Sequence, residues 1–262
     1  MKKTYILFVF LLLSFPSVFA QTFHVEFIEV SGSSVSTVNE VGKLVDAYVY
    51  QSAIDLSDLD VPLKKQAFIN LMLPSILIAK HKLELTRNSV LAIVNSEFAP
   101  SIEDEVFLIK LKKSYKCKSN KELLSRLQTH PTSIVIAQAA LESGWGTSRF
   151  YREANNIFGV WSYSKNEARI RASETRDGTV VYVKKYASLP ESIASYFKTL
   201  ARGPYSSFRE EREKTEDVYL LTPHLKVYSE LKEEYVLRLE KLIRYNKLEQ
   251  YDTYVLKVNF KK

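Results

Sequence analysis

The sequence predicts a mostly helical α+β fold in which one β-hairpin is inserted between helices. Three observations predict it. Apolar residues recur at helical spacing along most of the chain, short β-prone runs replace that spacing on either side of residue 177, and Gly, Pro and Ser caps mark the changes. A hairpin folded over a helical base leaves a cleft between them.

The first residues have a secretory layout. Lys2 and Lys3 precede the apolar run Tyr5 to Leu13, and Val18-Phe19-Ala20 forms a small-x-small cleavage site. Residues 1–20 therefore read as a signal peptide. The mature protein is expected to be exported to the periplasm or cell envelope, with no stable membrane span after cleavage, because the apolar run is short for a bilayer; an uncleaved anchor is the alternative. The formal charge of the 262-residue chain is +7, and +5 without Lys2 and Lys3. That balance suits an anionic partner such as a cell wall. No Lys/Arg run or aromatic–basic module indicates nucleic acid. Cys117 is the only cysteine, which excludes an intrachain disulfide and reads as core filler. His24, His81, His130 and His224 are scattered without ligand spacing, so neither a metal nor another cofactor is expected.

Residues 21–130 read as a mainly helical N-terminal region. Phe23 to Val30 is β-prone, Ser31 to Ser36 is a Ser/Gly stretch, and Val38 to Tyr50 has loose helical spacing. From Pro62 helical character strengthens, with Phe68, Leu71, Ile78 and Ala79 near one face and Pro74 expected to break or kink the helix. Leu83 to Phe98 and Ile102 to Lys113 continue as helices, the latter with Ile102, Val106 and Ile109 on one side. Ser119-x-x-Glu122 is a capping-box pattern opening a short helix through Leu127.

Residues 131–250 carry the chemistry. A helix starts after Pro131, with Ile134, Ala137 and Leu141 facing a core and Val135, Gln138 and Glu142 on the neighbouring stripe. Gly144 and Gly146 stop it. Glu142 is the single carboxylate of that helix, in its last turn. The negative end of the helix dipole and partial desolvation both favour its protonated form. A carboxyl that keeps its proton near neutral pH can protonate a leaving oxygen. The β-prone runs Ala168 to Glu174 and Thr179 to Tyr186 flank Arg176-Asp177-Gly178, a hairpin signal. This arrangement puts Glu142 on the cleft floor and Glu174 on the hairpin wall. Ser188-x-x-Glu191 caps the next helix, with Ile193, Phe197 and Leu200 inward and Gly203-Pro204 as its stop. A last helix runs from about Glu230 to Asn246, with Tyr235, Leu239 and Leu242 on one face. Residues 251–262 alternate at Tyr254, Leu256, Val258 and Phe260, as a closing strand or an extended tail would.

The string AQAALESGWGTSRFYREANNIFGVW resembles the catalytic core of glycoside hydrolase family 73, the bacterial β-N-acetylglucosaminidases that cut peptidoglycan. Within that family the chain is most similar to the Bax-type exported proteins, in which a helical region precedes the domain. The resemblance covers about Thr132 to Leu248. It implies a lysozyme-like helical base and an exported hydrolase that cleaves the β-1,4 bond after N-acetylglucosamine in a peptidoglycan strand. It places the general acid on Glu142. It places the second acidic residue on Glu174, four residues ahead of Gly178. Ala172 stands where the family often has Thr, and Glu167, before the hairpin, is the alternative occupant. Tyr228, in Val227-Tyr228-Ser229-Glu230, matches a functionally important tyrosine. Asn155, Asn156, Phe158 and Gly159 match the motif that shapes the cleft, and Asn156, Phe158, Gly159, Trp161 and Tyr186 are the candidate substrate-binding residues. Trp145, Trp161 and Tyr186 are each suited to stacking on a sugar ring or to packing, and packing is the simpler reading for Trp145 and Tyr186. Two other readings stay open: a wall-binding module without turnover, and a lytic transglycosylase working with Glu142 alone.

Overall fold

The computed structural model describes residues 23–29, 38–176 and 179–258. The signal segment, the Ser/Gly stretch, the Asp177-Gly178 turn and Phe260 lie outside the described residues. The helices are α1 (Val61–Val94), α2 (Ile102–Tyr115), α3 (Asn120–Arg126), α4 (Thr132–Ser143), α5 (Arg149–Ala154), α6 (Leu189–Arg202), α7 (Ser206–Arg212), α8 (Val218–Leu221) and α9 (Glu233–Tyr245). Two 3-10 segments, Thr222–Tyr228 and Leu248–Thr253, flank α9. The strands are β1 (Glu26–Ile28), β2 (Leu44–Asp46), β3 (Tyr48–Tyr50), β4 (Arg169–Arg176), β5 (Thr179–Lys184) and β6 (Val255–Lys257).

Helix α4 is the axis of the molecule. Residues 132–140 are all buried, so it has no solvent face over its first turns. A helix apolar all round must be enclosed by other elements, and α1, α9 and the 248–253 segment enclose it. Ile134, Ala137, Ile193, Leu200 and Leu239 meet there with Phe68, Leu71 and Ile76 of α1, and the same core takes in Val45, Tyr48 and Tyr50. A second, smaller core of Val90, Leu108, Cys117, Leu123 and Leu127 joins the far end of α1 to α2 and α3, and Leu83 touches both. Cys117 is thus buried filler.

Four sequence expectations are corrected, and the shared side of Ile102, Val106 and Ile109 is assigned to solvent. Pro74 neither breaks α1 nor divides it from the stretch after Leu83, because Pro74 lies within a continuously buried run, 67–79, whose packing carries the helix past the missing N–H. Val38 to Tyr50 is not helical. Val45 is buried while Leu44 and Asp46 are exposed, a period of two, and β2 and β3 form there instead. The Ile102, Val106 and Ile109 side of α2 faces solvent, and Leu108 is the residue of that helix that is buried. Ser188 makes no cap bond at the start of α6; the Glu191 carboxylate instead accepts from the Ala187 N–H at 3.1 Å. Helix α9 begins at Glu233, after Lys232 adopts a positive φ of 47°.

Among the described residues the strands form three two-stranded sheets. β1 pairs with β3 and β2 with β6, both parallel, so the tail closes as a strand at Val255–Lys257 against β2. β4 and β5 form the expected antiparallel hairpin, with Arg169 opposite Lys184 and an irregularity between Arg171 and Thr175. Trp161 extends this sheet by an antiparallel bridge to Val183. Among the described residues no helix is long and apolar enough to cross a membrane.

Candidate active site

The Glu-Ser-Gly-Trp-Gly run ends α4 in a locked turn. Ser143 Oγ donates to the Ala139 carbonyl at 2.6 Å and accepts from the Gly146 N–H at 2.9 Å. The Trp145 N–H reaches back to the Ala140 carbonyl at 2.9 Å. Gly144, Trp145 and Gly146 all have left-handed backbones, with φ of 60°, 59° and 78°. For the tryptophan that conformation costs about 1–2 kcal/mol. Its ring offsets this by packing edge-on against Phe68 at 5.5 Å, with the Lys65 ammonium over its face at 5.2 Å.

Glu142 projects from the turn just before this lock. The residue is exposed along one side, and protein surrounds the carboxyl on the others. That burial raises its pKa, and a hydrogen bond from the Tyr235 hydroxyl pulls it partly back. Among the described residues no lysine or arginine contributes to its shift. The surroundings are phenolic. Tyr196 of α6, Tyr205, Tyr228 and Tyr235 of α9 all feel the Glu142 charge, which together with burial pushes their own pKa values up, Tyr205 to about 12. Tyr228 and Tyr235 are stacked, with centroids 5.6 Å apart and planes 18° from parallel. Such a site keeps the carboxyl protonated toward higher pH than a surface Glu and offers hydroxyl donors beside it.

Glu174 lies in β4 near its irregularity. Its alternative, Glu167, is committed elsewhere: it accepts from Ser162 Oγ at 2.7 Å and pairs with Lys184 at 3.1 Å, which holds its pKa down. Asn156 is buried and its amide is fully used, donating to the Val160 and Lys184 carbonyls at 2.9 and 2.8 Å and accepting from the Val160 N–H at 2.9 Å. It pins the 156–160 loop to β5 and has no donor left for a sugar. Phe158 is buried and stacked on Tyr196, with centroids 4.2 Å apart. Gly159 turns the chain with φ 65°. Tyr186 is half-buried and its hydroxyl donates to Ser195 Oγ at 2.8 Å, which joins the hairpin to α6. Trp161 is 36% exposed and lies 6.3 Å from the ring of Tyr163, itself 85% exposed. These two form an aromatic surface on the hairpin lobe.

Sequence reading missed Tyr235, Tyr196, Tyr205 and Tyr163. Tyr235 showed only as a core position of α9, and nothing in its spacing distinguishes a ring that packs from one whose hydroxyl meets a carboxylate. Gln138 did leave a signal, as a polar residue one turn before Glu142 on an otherwise apolar helix. Among the described residues no group of three His, Cys, Asp or Glu could hold a metal.

Comparison with known proteins matches residues 117–258 to the family described as glucosaminidase, mannosyl-glycoprotein endo-beta-N-acetylglucosaminidase. Protein bax of Escherichia coli is 30% identical over 159 residues, which are 57% of this chain and 55% of that protein. The exo-glucosaminidase LytG of Bacillus subtilis is 36% identical over 76 residues, 27% of each chain. The chain therefore spans about half of the first relative and about a quarter of the second. The catalytic domain of the autolysin Auto from Listeria monocytogenes superposes with a TM-score of 0.40 at 26% identity, covering 64% of this chain and 97% of that one.

Proposed function

The chain belongs to the glucosaminidase family, and from that premise we propose that it is an exported peptidoglycan hydrolase cleaving the β-1,4 bond after N-acetylglucosamine. The observation that carries this is the Glu142 carboxyl, set on a locked helix end, open to solvent on one side and ringed by tyrosines without a cationic partner. The protonated carboxyl gives its hydrogen to the glycosidic oxygen as the C1–O bond breaks. Water then adds to C1, and its proton must go to a second group. Glu174 is assigned that role, or the stabilisation of positive charge at C1. Tyr228 orients the acetamido group of the substrate.

Trp161, with Tyr163, provides the apolar platform for a sugar ring, whereas Asn156, Phe158, Gly159 and Tyr186 shape the groove from behind. Residues 131–250 make up the catalytic part. The described part of residues 21–130 supports it through the core they share, and Val255–Lys257 closes it against β2. The signal peptide sends the protein to the periplasm or cell envelope, where its partner is the glycan strand.

The test is clearing of a cell-wall suspension by the mature protein, with mass spectrometry of the muropeptide products. New reducing ends on N-acetylglucosamine are expected, and Glu142→Gln is expected to abolish them. Anhydro products would instead identify a lytic transglycosylase, and wall binding without product a binding module. Full activity in Glu142→Gln would overturn the assignment of the acid.

A further inference from the structure

Behind Glu142 lies a continuous line of buried hydrogen bonds. His130 Nε2 is 2.9 Å from the Tyr196 hydroxyl. Tyr196 donates to Gln138 Oε1 at 2.6 Å and Gln138 Nε2 donates to the Tyr235 hydroxyl oxygen at 2.8 Å, and Tyr235 lies beside Glu142, whose pKa its hydroxyl lowers. His130, Gln138, Tyr196 and Tyr235 are all buried. Gln138 and Glu142 are one turn apart on α4, so the chain leaves that helix through α6 and returns to it through α9.

The bonds have one direction. A phenol has a single hydrogen. Tyr196 spends its hydrogen on Gln138, so His130 must be the donor in the first contact. Gln138 fills the acceptor site of Tyr235, which leaves the Tyr235 hydrogen for Glu142. Rotating the Gln138 amide would reverse every bond and remove that hydrogen from the carboxyl. The His130 end decides between the two states. Its Nδ1 is buried with no partner, among the rings of Tyr196, Phe197 and Phe208. With the proton on Nε2, Nδ1 is a bare lone pair. In the reversed state it would be a stranded N–H, the rarer and costlier defect.

We infer that His130, Tyr196, Gln138 and Tyr235 form a one-way hydrogen-bond relay that holds the Tyr235 hydroxyl hydrogen on Glu142, with Gln138 as its positioning residue. This rests on Glu142 being the acid of the proposed reaction. Once the proton has gone to the leaving oxygen, the same hydroxyl stabilises the carboxylate left behind. The groups facing Glu142 from α6, α9 and the 222–228 segment are the neutral phenols of Tyr196, Tyr205, Tyr228 and Tyr235. The charged groups acting on the relay, Arg212 and Lys80, lie at its His130 end. Asp252 is bound to Ser133 and acts on Lys80 at the start of α4.

The test is the pH profile of kcat/KM on cell wall for wild type, Tyr235→Phe, Gln138→Met and the double variant, with circular dichroism to confirm folding. Loss of the Tyr235 hydrogen bond is expected to move the alkaline limb up by about one pH unit, the size of one hydrogen bond to a charged group. Gln138→Met is expected to move it the same way by less, and to add nothing in the Tyr235→Phe background. An unmoved or lowered limb in Tyr235→Phe overturns the inference, as does a folded Gln138→Met with a wild-type limb. Should Gln138→Met fail to fold, Tyr196→Phe takes its place, with the same shift expected and a wild-type limb counting against the relay. An inactive Glu142→Gln alongside an unshifted Tyr235→Phe rejects the relay alone, whereas an active Glu142→Gln rejects the reading beneath it.

Discussion

Phe158 and Tyr196 stack face to face, with ring centroids 4.2 Å apart and planes 12° from parallel. Phe158 thus props the ring whose hydroxyl anchors Gln138. Removing it leaves a cavity against α6. Phe158→Ala should cost about 3–5 kcal/mol of unfolding free energy in a urea titration. A variant of wild-type stability with a weakened KM would instead make Phe158 a direct substrate contact.

Asn156 should behave as a pin rather than a ligand. Asn156→Ala strands the Val160 N–H and takes a donor from the Lys184 carbonyl, at about 1–3 kcal/mol for each group left unsatisfied, while the Val160 carbonyl keeps the Lys184 N–H at 2.9 Å. Amide exchange at Val160 should rise sharply. Asn156→Asp keeps the acceptor for Val160 and loses both donors, so it should protect that amide while still destabilising the hairpin.

Two glycines separate crowding from backbone strain. At Gly146 the φ is +78°, and an added Cβ would meet Phe68 at 3.1 Å and Leu56 at 3.2 Å, whereas at Gly159 the φ is +65° with nothing within 4 Å. Gly159→Ala should cost about 1 kcal/mol, from the left-handed backbone alone. Gly146→Ala should cost about 2–3 kcal/mol, because packing is disturbed as well. Equal melting temperatures for the two variants would show that the turn relaxes freely.

The raised pKa of Glu142 makes a stability prediction with a definite sign. The folded protein holds this proton to higher pH than the unfolded chain, whose carboxyl titrates near 4.5. Its contribution is fully present below that value and is lost as pH rises through the folded pKa. Glu142→Gln has no such proton to lose. Relative to wild type it should therefore gain stability as pH rises from about 4.5 through the folded pKa. Parallel denaturation curves across that range would mean that the carboxyl is solvated like any surface Glu.

Much of this site can be read from the chain, and the reason is local chemistry. The α4 stop at Gly144, the hairpin strands and the inward faces of Ile193 and Leu239 follow from spacing and turn residues that act within a few positions. What could not be read depends on partners far along the chain. Pro74 sits inside a helix because α1 is buried there and packs against α4 and α6. Tyr235 meets Glu142 because α9 folds across α4, and a tyrosine at a core spacing shows no sign of where its hydroxyl will end. Val38 to Tyr50 looks loosely helical until β1 and β6 are there to pair with it.

The pairing of β2 with β6 has a temporal meaning. Leu44 and Val255 are neighbours across that ladder although they stand about 210 residues apart in the chain. β2 therefore has its ladder partner only once Val255–Lys257 has been made. Closing a loop of that length costs conformational entropy before the ladder rewards it, so this pair is expected to join late in folding.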